Sequence, residues 1–313
     1  MKNRKLFTNF GWYKSICFGL IVLGCLVFPV AAADKLYSVD PVLDKLVIID
    51  SGSLAISEIG PLGVNINGID GMVPLGGNEL LAILVTSTGS PYGHYELYKI
   101  NALSGQATWI ADIIDGDDIL DKNLAESLAR NPLNGYIYIS YSSGAYSSSD
   151  LLGKVNPATG AISPVCSVGR DMDAIEFSPT GSLVYAFDVN PLDSTSYTQY
   201  FYSVNPVTCA ATTIKEYTID QFIIDMEFLS NGNLVGVEKS RRDPRVQQLV
   251  EINPATGDYS SLGQLNGYTI DSLCLKTSID PSPAPEFPSA FLPATMIIGF
   301  LGAVLLIQRT REH

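Results

Sequence analysis

The sequence predicts an all-β fold, a five-bladed β-propeller of four-stranded antiparallel blades, and three observations carry that expectation. An apolar segment ending in Asn or Asp recurs, with its last residue at Asp50, Asn101, Asn156, Asn205 and Asn253, steps of 51, 55, 49 and 48 residues that match one blade each. A second element, an acid followed by an apolar strand and a glycine turn, recurs between those copies. With 46% hydrophobic and only 16% charged residues, the 313-residue chain can bury one sizeable core and leans toward β structure.

Taken in chain order, residues 1–33 carry Lys2, Arg4, Lys5 and Lys14, then an apolar run from Ile16 to Val30, then Ala31-Ala32-Ala33. That order of basic, apolar and small residues predicts a secretory signal peptide, with the mature chain starting near Asp34. An uncleaved anchor is the rival reading, because the apolar run is long.

Residues 34–278 are the expected propeller. Leu249-Val250-Glu251-Ile252-Asn253-Pro254-Ala255-Thr256-Gly257 matches Leu152-Gly153-Lys154-Val155-Asn156-Pro157-Ala158-Thr159-Gly160, and weaker copies end at the other Asn or Asp positions. Ile224 to Val237 likewise resembles Met172 to Ala186, each with an acid at its start and a glycine turn inside. Each unit then holds four strands: an inner one after the acid, a second after the Gly turn, a third ending in Asn or Asp, and an outer one. In the turn before the outer strand, Asn-Pro supplies a side-chain acceptor and a fixed φ, and Gly52, Gly105, Gly160 and Gly257 are expected to take positive φ. Cys209 stands in that place in the fourth copy. The expected blades are 68–112, 126–167, 173–216 and 225–263, plus one shared between 35–60 and 271–277. Lys35 to Asp40 reads as a second strand without an inner partner, and Ile270 to Leu275 as an inner strand with nothing after it, so the two ends should pair and close the ring.

Residues 279–289 form a Pro-rich linker, residues 290–307 an apolar stretch long enough to span a membrane, and residues 308–313 a basic tail with Arg309 and Arg311. Basic residues flank both apolar segments, which predicts a domain on the extracellular face of the membrane. The linker contains Pro285-Glu286-Phe287, and this motif, followed by an apolar helix and a short basic tail, resembles the PEF-CTERM sorting signal of archaeal surface proteins. The resemblance covers about the last 30 residues. It implies an archaeosortase-type processing enzyme as a partner and transfer to a replacement anchor; an ordinary single-pass anchor is the alternative. The blade pattern resembles NHL-, YVTN- and PQQ-type repeat propellers, a resemblance that implies the fold and no activity.

Residues 34–290 hold 31 acidic against 13 basic side chains, which argues against nucleic acid and anionic lipid as partners. Cys166, Cys209 and Cys274 are an odd set, so at least one thiol is expected to stay outside any intrachain disulfide.

The candidate binding residues fall on one face, where the loops between second and third strands and the blade-to-blade connections lie. Tyr92, Tyr141, Tyr146 and Tyr197 sit in or beside long loops rich in Ser, Gly and Thr, a composition suited to adaptable recognition. On the same face an acid opens every inner strand: Asp70, Glu126, Asp173, Asp225 and Asp271. These should ring one mouth of the central channel, either clipping neighbouring blades through backbone N–H groups or binding a cation or substrate. Asp115, Asp117, Asp118 and Asp121 cluster in one connection and could chelate calcium, although without EF-hand spacing.

His94 is the sole histidine of this region, and the chain has no Gly-X-Ser-X-Gly elbow and no Cys/His metal spacing. Hydrolase triads and zinc chemistry therefore find no support. The expectation is a non-catalytic binding or adhesion module that recognises an envelope glycan or surface protein. The alternatives are a structural component of a surface layer and a carboxylate-dependent glycoside hydrolase using Asp173 and Asp225.

Overall fold

A computed structural model describes residues 33–86, 94–115, 118–119, 125–142, 149–191, 197–219, 221–240, 243 and 245–276. The signal, linker, sorting motif and C-terminal apolar segment lie outside the described residues.

Blade 1 begins with β1 (Lys35–Asp40), β2 (Lys45–Asp50) and β3 (Ile56–Pro61). Blade 2 comprises β4 (Ile66–Gly76), β5 (Glu79–Thr86), β6 (His94–Asn101) and β7 (Ala107–Asp112), and a short hairpin follows, β8 (Ile114–Asp115) and β9 (Asp118–Ile119). Blade 3 is β10 (Ala125–Arg130), β11 (Ile137–Ser142), β12 (Asp150–Val155) and β13 (Ala161–Ser167). Blade 4 is β14 (Ala174–Phe177), β15 (Val184–Pro191), β16 (Tyr197–Val204) and β17 (Ala211–Ile219), and blade 5 is β18 (Gln221–Phe228), β19 (Leu234–Ser240), β20 (Gln247–Ile252) and β21 (Tyr259–Gln264). The chain returns in β22 (Cys274–Leu275), which pairs antiparallel with β1 through Leu36↔Leu275 and Tyr37↔Cys274. Every blade is thus built on four antiparallel strands, blade 3 carrying the β8–β9 hairpin as two further strands at its outer edge, and the predicted closure is present.

The inner strands pack in a circle, β4 on β10, β10 on β14, β14 on β18, β18 on β22 and β22 on β4. Asp34 accepts hydrogen bonds from the Ser230 N–H (2.9 Å) and hydroxyl in the first turn of blade 5, and Lys276 Nζ donates to Asn78 Oδ1 of blade 2 at 2.8 Å. Both ends of the described chain are therefore tied to neighbouring blades. Apolar cores fill the spaces between blades, for example Leu36, Val47 and Ile49 of blade 1 with Val235, Val237 and Leu249 of blade 5.

Two contacts recur around the ring. The residue four places after each turn Asn or Asp leans on the end of the preceding blade's outer strand. Gly105 meets Gly60, Gly160 meets the Asp112 carbonyl, and Gly257 meets Lys215 and Tyr217, so closely that a Cβ there would collide. These glycines have φ between 68° and 80°, a region glycine takes without penalty. In blade 1 the position belongs to Leu54 (φ 57°), not to Gly52 as its glycine suggested, and the small residue has changed sides: Leu54 packs onto Gly263 of blade 5. In blade 4 it belongs to Cys209 (φ 56°), which forms a disulfide with Cys166 at the end of β13. The disulfide therefore latches blade 3 to blade 4 at a contact that three other blades make with glycine. Cys274 is buried and free.

The second recurrence lies six residues before each turn Asn or Asp, at Asp44, Tyr95, Asp150, Gln199 and Gln247. Four of these side chains accept the backbone N–H that leads into the next blade's inner strand: Asp44 from Ile66 (3.0 Å), Asp150 from Met172 (2.7 Å), Gln199 from Ile223 (3.1 Å) and Gln247 from Ile270 (2.6 Å). At the fifth, the Tyr95 carbonyl accepts from Ile113 N–H instead, at 3.3 Å.

The latch yields a prediction. Replacing both Cys166 and Cys209 by Ser should lower the unfolding free energy by about 2–4 kcal/mol. Cys166→Ser with Cys209→Gly should lose about 1 kcal/mol less, because glycine takes the positive φ at 209 freely. Chemical denaturation would show it; equal losses in the two variants would mean that backbone conformation at 209 contributes nothing.

Candidate functional site

The five acids that open the inner strands do converge. Asp70, Glu126, Asp173, Asp225 and Asp271 all line one cavity of about 360 Å³ at the channel mouth, with Ile69, Phe222, Ile223 and Ile224 as its apolar wall and Lys239 as its cation. Their convergence follows from phase: each stands at the same point of its repeat, and the circle of inner strands turns a shared position in sequence into a shared position around one axis. Gly71, next to Asp70, lets β4 approach β10 so closely that a Cβ would strike the Leu128 backbone.

The acids do different work. Asp225 is buried, and both its oxygens are engaged: one accepts Met226 N–H at 2.9 Å, the other Leu273 N–H of the returning chain at 2.6 Å. It is the interblade clip. Its neighbour along β18, Glu227, repeats the device one step further by accepting Leu275 N–H at 2.9 Å. Asp271 forms an ion pair with Lys239 at 2.9 Å. Among the described residues Asp70 and Glu126 have no such partner, and desolvation governs them. Burial, with Asp271 nearby, raises Asp70 to about 8. Burial, then the charge of Asp173 and further acids, raises Glu126 to about 10. Burial also lifts Asp225 to about 7 and Glu227 to about 8, against the pull of the backbone N–H groups each accepts. Glu176, on β14, is pushed well above the ordinary carboxyl value by burial, with Glu227 adding to it. At neutral pH the mouth therefore carries protonated carboxyls, which donate as well as accept hydrogen bonds.

The tyrosines fare differently. Tyr141 is fully buried in the core between blades 2 and 3, beside Ile139, Leu97 and Ile162, so its expected place in surface recognition is corrected: β11 is buried on both faces, and alternation sets Tyr141 on the side of Ile137 and Ile139. Tyr92 and Tyr146 lie outside the described residues. Tyr197 opens β16, where it pairs with Pro191 and Ile219. Of the expected calcium cluster, Asp115 lies in β8, which adds in parallel to β13 at the outer edge of blade 3, and Asp118 pairs with it across the hairpin. Asp117 and Asp121 lie outside the described residues.

A second acidic group adjoins the ring where blade 3 meets blade 4. Carboxylate oxygens of Asp171, Asp173 and Asp188 lie within 4.8 Å of one another, and Asp150 faces Asp171. Burial, then Asp171, raises Asp150 to about 7, and burial, then Asp171, raises Asp188 to about 7 with Arg170 opposing. Sequence reading found Asp173 alone of these four, since the others do not recur in phase as acids.

No known family profile matches the sequence, and no curated protein matches it. Among solved structures the chain is similar to a candidate 6-phosphogluconolactonase from Bacteroides uniformis (9% identity, 77% of this chain and 99% of that one, TM-score 0.44). It is also similar to TolB from Acinetobacter baumannii (11%, 75% and 53%, TM-score 0.43) and to an oligogalacturonate lyase in complex with manganese (13%, 74% and 62%, TM-score 0.39). Likenesses this distant carry no argument about activity.

The raised carboxyls make a sign prediction. Asp70, Asp225 and Glu227 bind protons more tightly folded than unfolded, so the stability tied to those protons is present below about pH 4 and is lost as pH rises through about 7 to 8. Unfolding midpoints in calcium-free buffer should fall from pH 5 to pH 8.5. Asp70→Asn should flatten that fall, whereas Asp225→Ala should destabilise by about 1–3 kcal/mol at every pH by orphaning two backbone donors. A midpoint that rises with pH would contradict this electrostatic reading.

Proposed function

We propose that the propeller is a non-catalytic recognition module displayed on the outer face of a cell membrane, secreted by its N-terminal segment and anchored through its C-terminal one or through a replacement after archaeosortase-type processing. Its proposed ligand is an envelope glycan. The observation that supports this is the mouth cavity, where protonated Asp70 and Glu126, the Asp271–Lys239 pair and the apolar Phe222 and Ile224 stand together. Hydroxyl-rich ligands need paired donors and acceptors beside an apolar surface, and a neutral carboxyl supplies both in one group.

The hydrolytic alternative loses ground at Asp225. Asp225 is buried and each of its oxygens accepts a backbone N–H, so its carboxylate is engaged in holding the returning chain and is poorly placed to serve as acid or base. A structural surface-layer role draws on one observation: turns on the opposite face expose Leu103, Leu133 and Val207, apolar side chains that suit a protein partner.

Purified full-length chain, incubated with a panel of envelope polysaccharides, should retain glycan without generating new reducing ends, and Glu126→Ala should weaken retention about tenfold. Release of reducing ends would replace recognition by hydrolysis. Absence of retention together with concentration-dependent self-association would favour the structural role.

A further inference from the structure

We propose that Asp150, Asp171, Asp173 and Asp188 form a calcium site joining blade 3 to blade 4. The inference is independent of the glycan reading. Asp150 opens β12, Asp171 and Asp173 lie in the connection from β13 to β14, and Asp188 lies in β15, so the four groups come from three separate segments of two blades.

Spacing is the first argument. Oxygens of Asp171, Asp173 and Asp188 lie no more than 4.8 Å apart, within the roughly 5 Å that separates opposite oxygens on one calcium ion. Magnesium, with bonds of about 2.1 Å, would require the group to contract. An oxygen-only donor set also fits a hard cation and not zinc or copper.

The second argument is an orphaned atom. Asp150 is fully buried; its Oδ2 accepts Met172 N–H at 2.7 Å, while its Oδ1 has no hydrogen-bond partner. The corresponding residue of the next blade explains the contrast. Gln199 accepts Ile223 N–H through Oε1 and donates through Nε2 to Ile223 O at 3.0 Å, so both ends of its amide are used. An ionised aspartate has no hydrogen to give, and at this blade junction the Asp150 side chain instead lies against another carboxyl, Asp171. A buried oxygen set against a second oxygen calls for a cation between them or a shared proton.

Arg170 lies 5.4 Å from the ring centroids of Tyr200 and Tyr202, and among the four aspartates its charge acts on Asp188. The Tyr202 hydroxyl donates to the Asp171 carbonyl, and Glu126 adds a further acid on the channel side. A bound calcium would fix the connection that carries Asp173 into the mouth, on the same blade junction that the Cys166–Cys209 disulfide latches at the outer strands.

Isothermal titration of chelator-stripped, full-length chain with calcium chloride at pH 7.5 tests this. The expected result is one calcium per chain, with affinity weakened at least tenfold in both Asp171→Asn and Asp188→Asn, and unchanged in Asp115→Asn. Asp171 is only partly buried, and its variant carries the test should Asp188→Asn fail to fold. No heat of binding up to a few millimolar calcium, about the weak limit for extracellular modules, would assign the Asp150–Asp171 contact to a shared proton and overturn the proposal. Binding that survives both substitutions would overturn it equally.

Discussion

The pairing of two C-terminal residues with the first strand is the constraint on which the rest depends. Blade 1 has no inner strand of its own until Cys274 and Leu275 lie along Tyr37 and Leu36, and only then does the circle of inner strands close. Closure leaves no open sheet edge at the join, and it completes the apolar space between blades 1 and 5. It also fixes the function-bearing geometry. Asp271 and Asp70 lie 201 residues apart in the chain, yet they face one cavity because β22 packs against β4.

Much of this was legible because a repeat converts sequence phase into angular position. The turn residues Asp50 to Asn253 marked five blades, the unpaired ends marked the closure, and the acids in phase marked the channel mouth. What escaped was whatever departs from phase or keeps position while changing chemistry. The clasp at Asp44, Asp150, Gln199 and Gln247 recurs faithfully, but Asp and Gln do not look alike in a search by residue type, although either can accept the same N–H. Leu54 and Cys209 hold a glycine's place for opposite reasons, one because its partner is the glycine, the other because it is bonded to its partner. Three cysteines could not be paired by count, since the choice rests on which blade edges touch. Tyr141 was misread because composition places it beside a loop, whereas β11 is buried along its whole length, between cores on both faces.

The mouth of the propeller holds more buried carboxylate than a stable fold requires. Asp225 and Glu227 answer to the backbone N–H groups of the returning chain, so their burial belongs to closure. Asp70 and Glu126 answer to nothing of that kind among the described residues, and burial, then the neighbouring acids, raises their affinity for protons. Departures from internal consistency of this sort gather where a protein meets a ligand. Asp173 connects the two acidic features, lining the cavity and standing within the aspartate group of blades 3 and 4. An ion held there would order the mouth as well as neutralise it, so recognition and stability would share one charge balance.

The central claim is that this acidic mouth is a built binding centre and not a by-product of closure. A lanthanide, a calcium-like ion with strong anomalous scattering, soaked into crystals of the full chain at low concentration would test it most directly. The account predicts one dominant anomalous peak bounded by Asp150, Asp171, Asp173 and Asp188. A map empty there, with ions scattered over surface carboxylates such as Asp115 and Asp258, would contradict it.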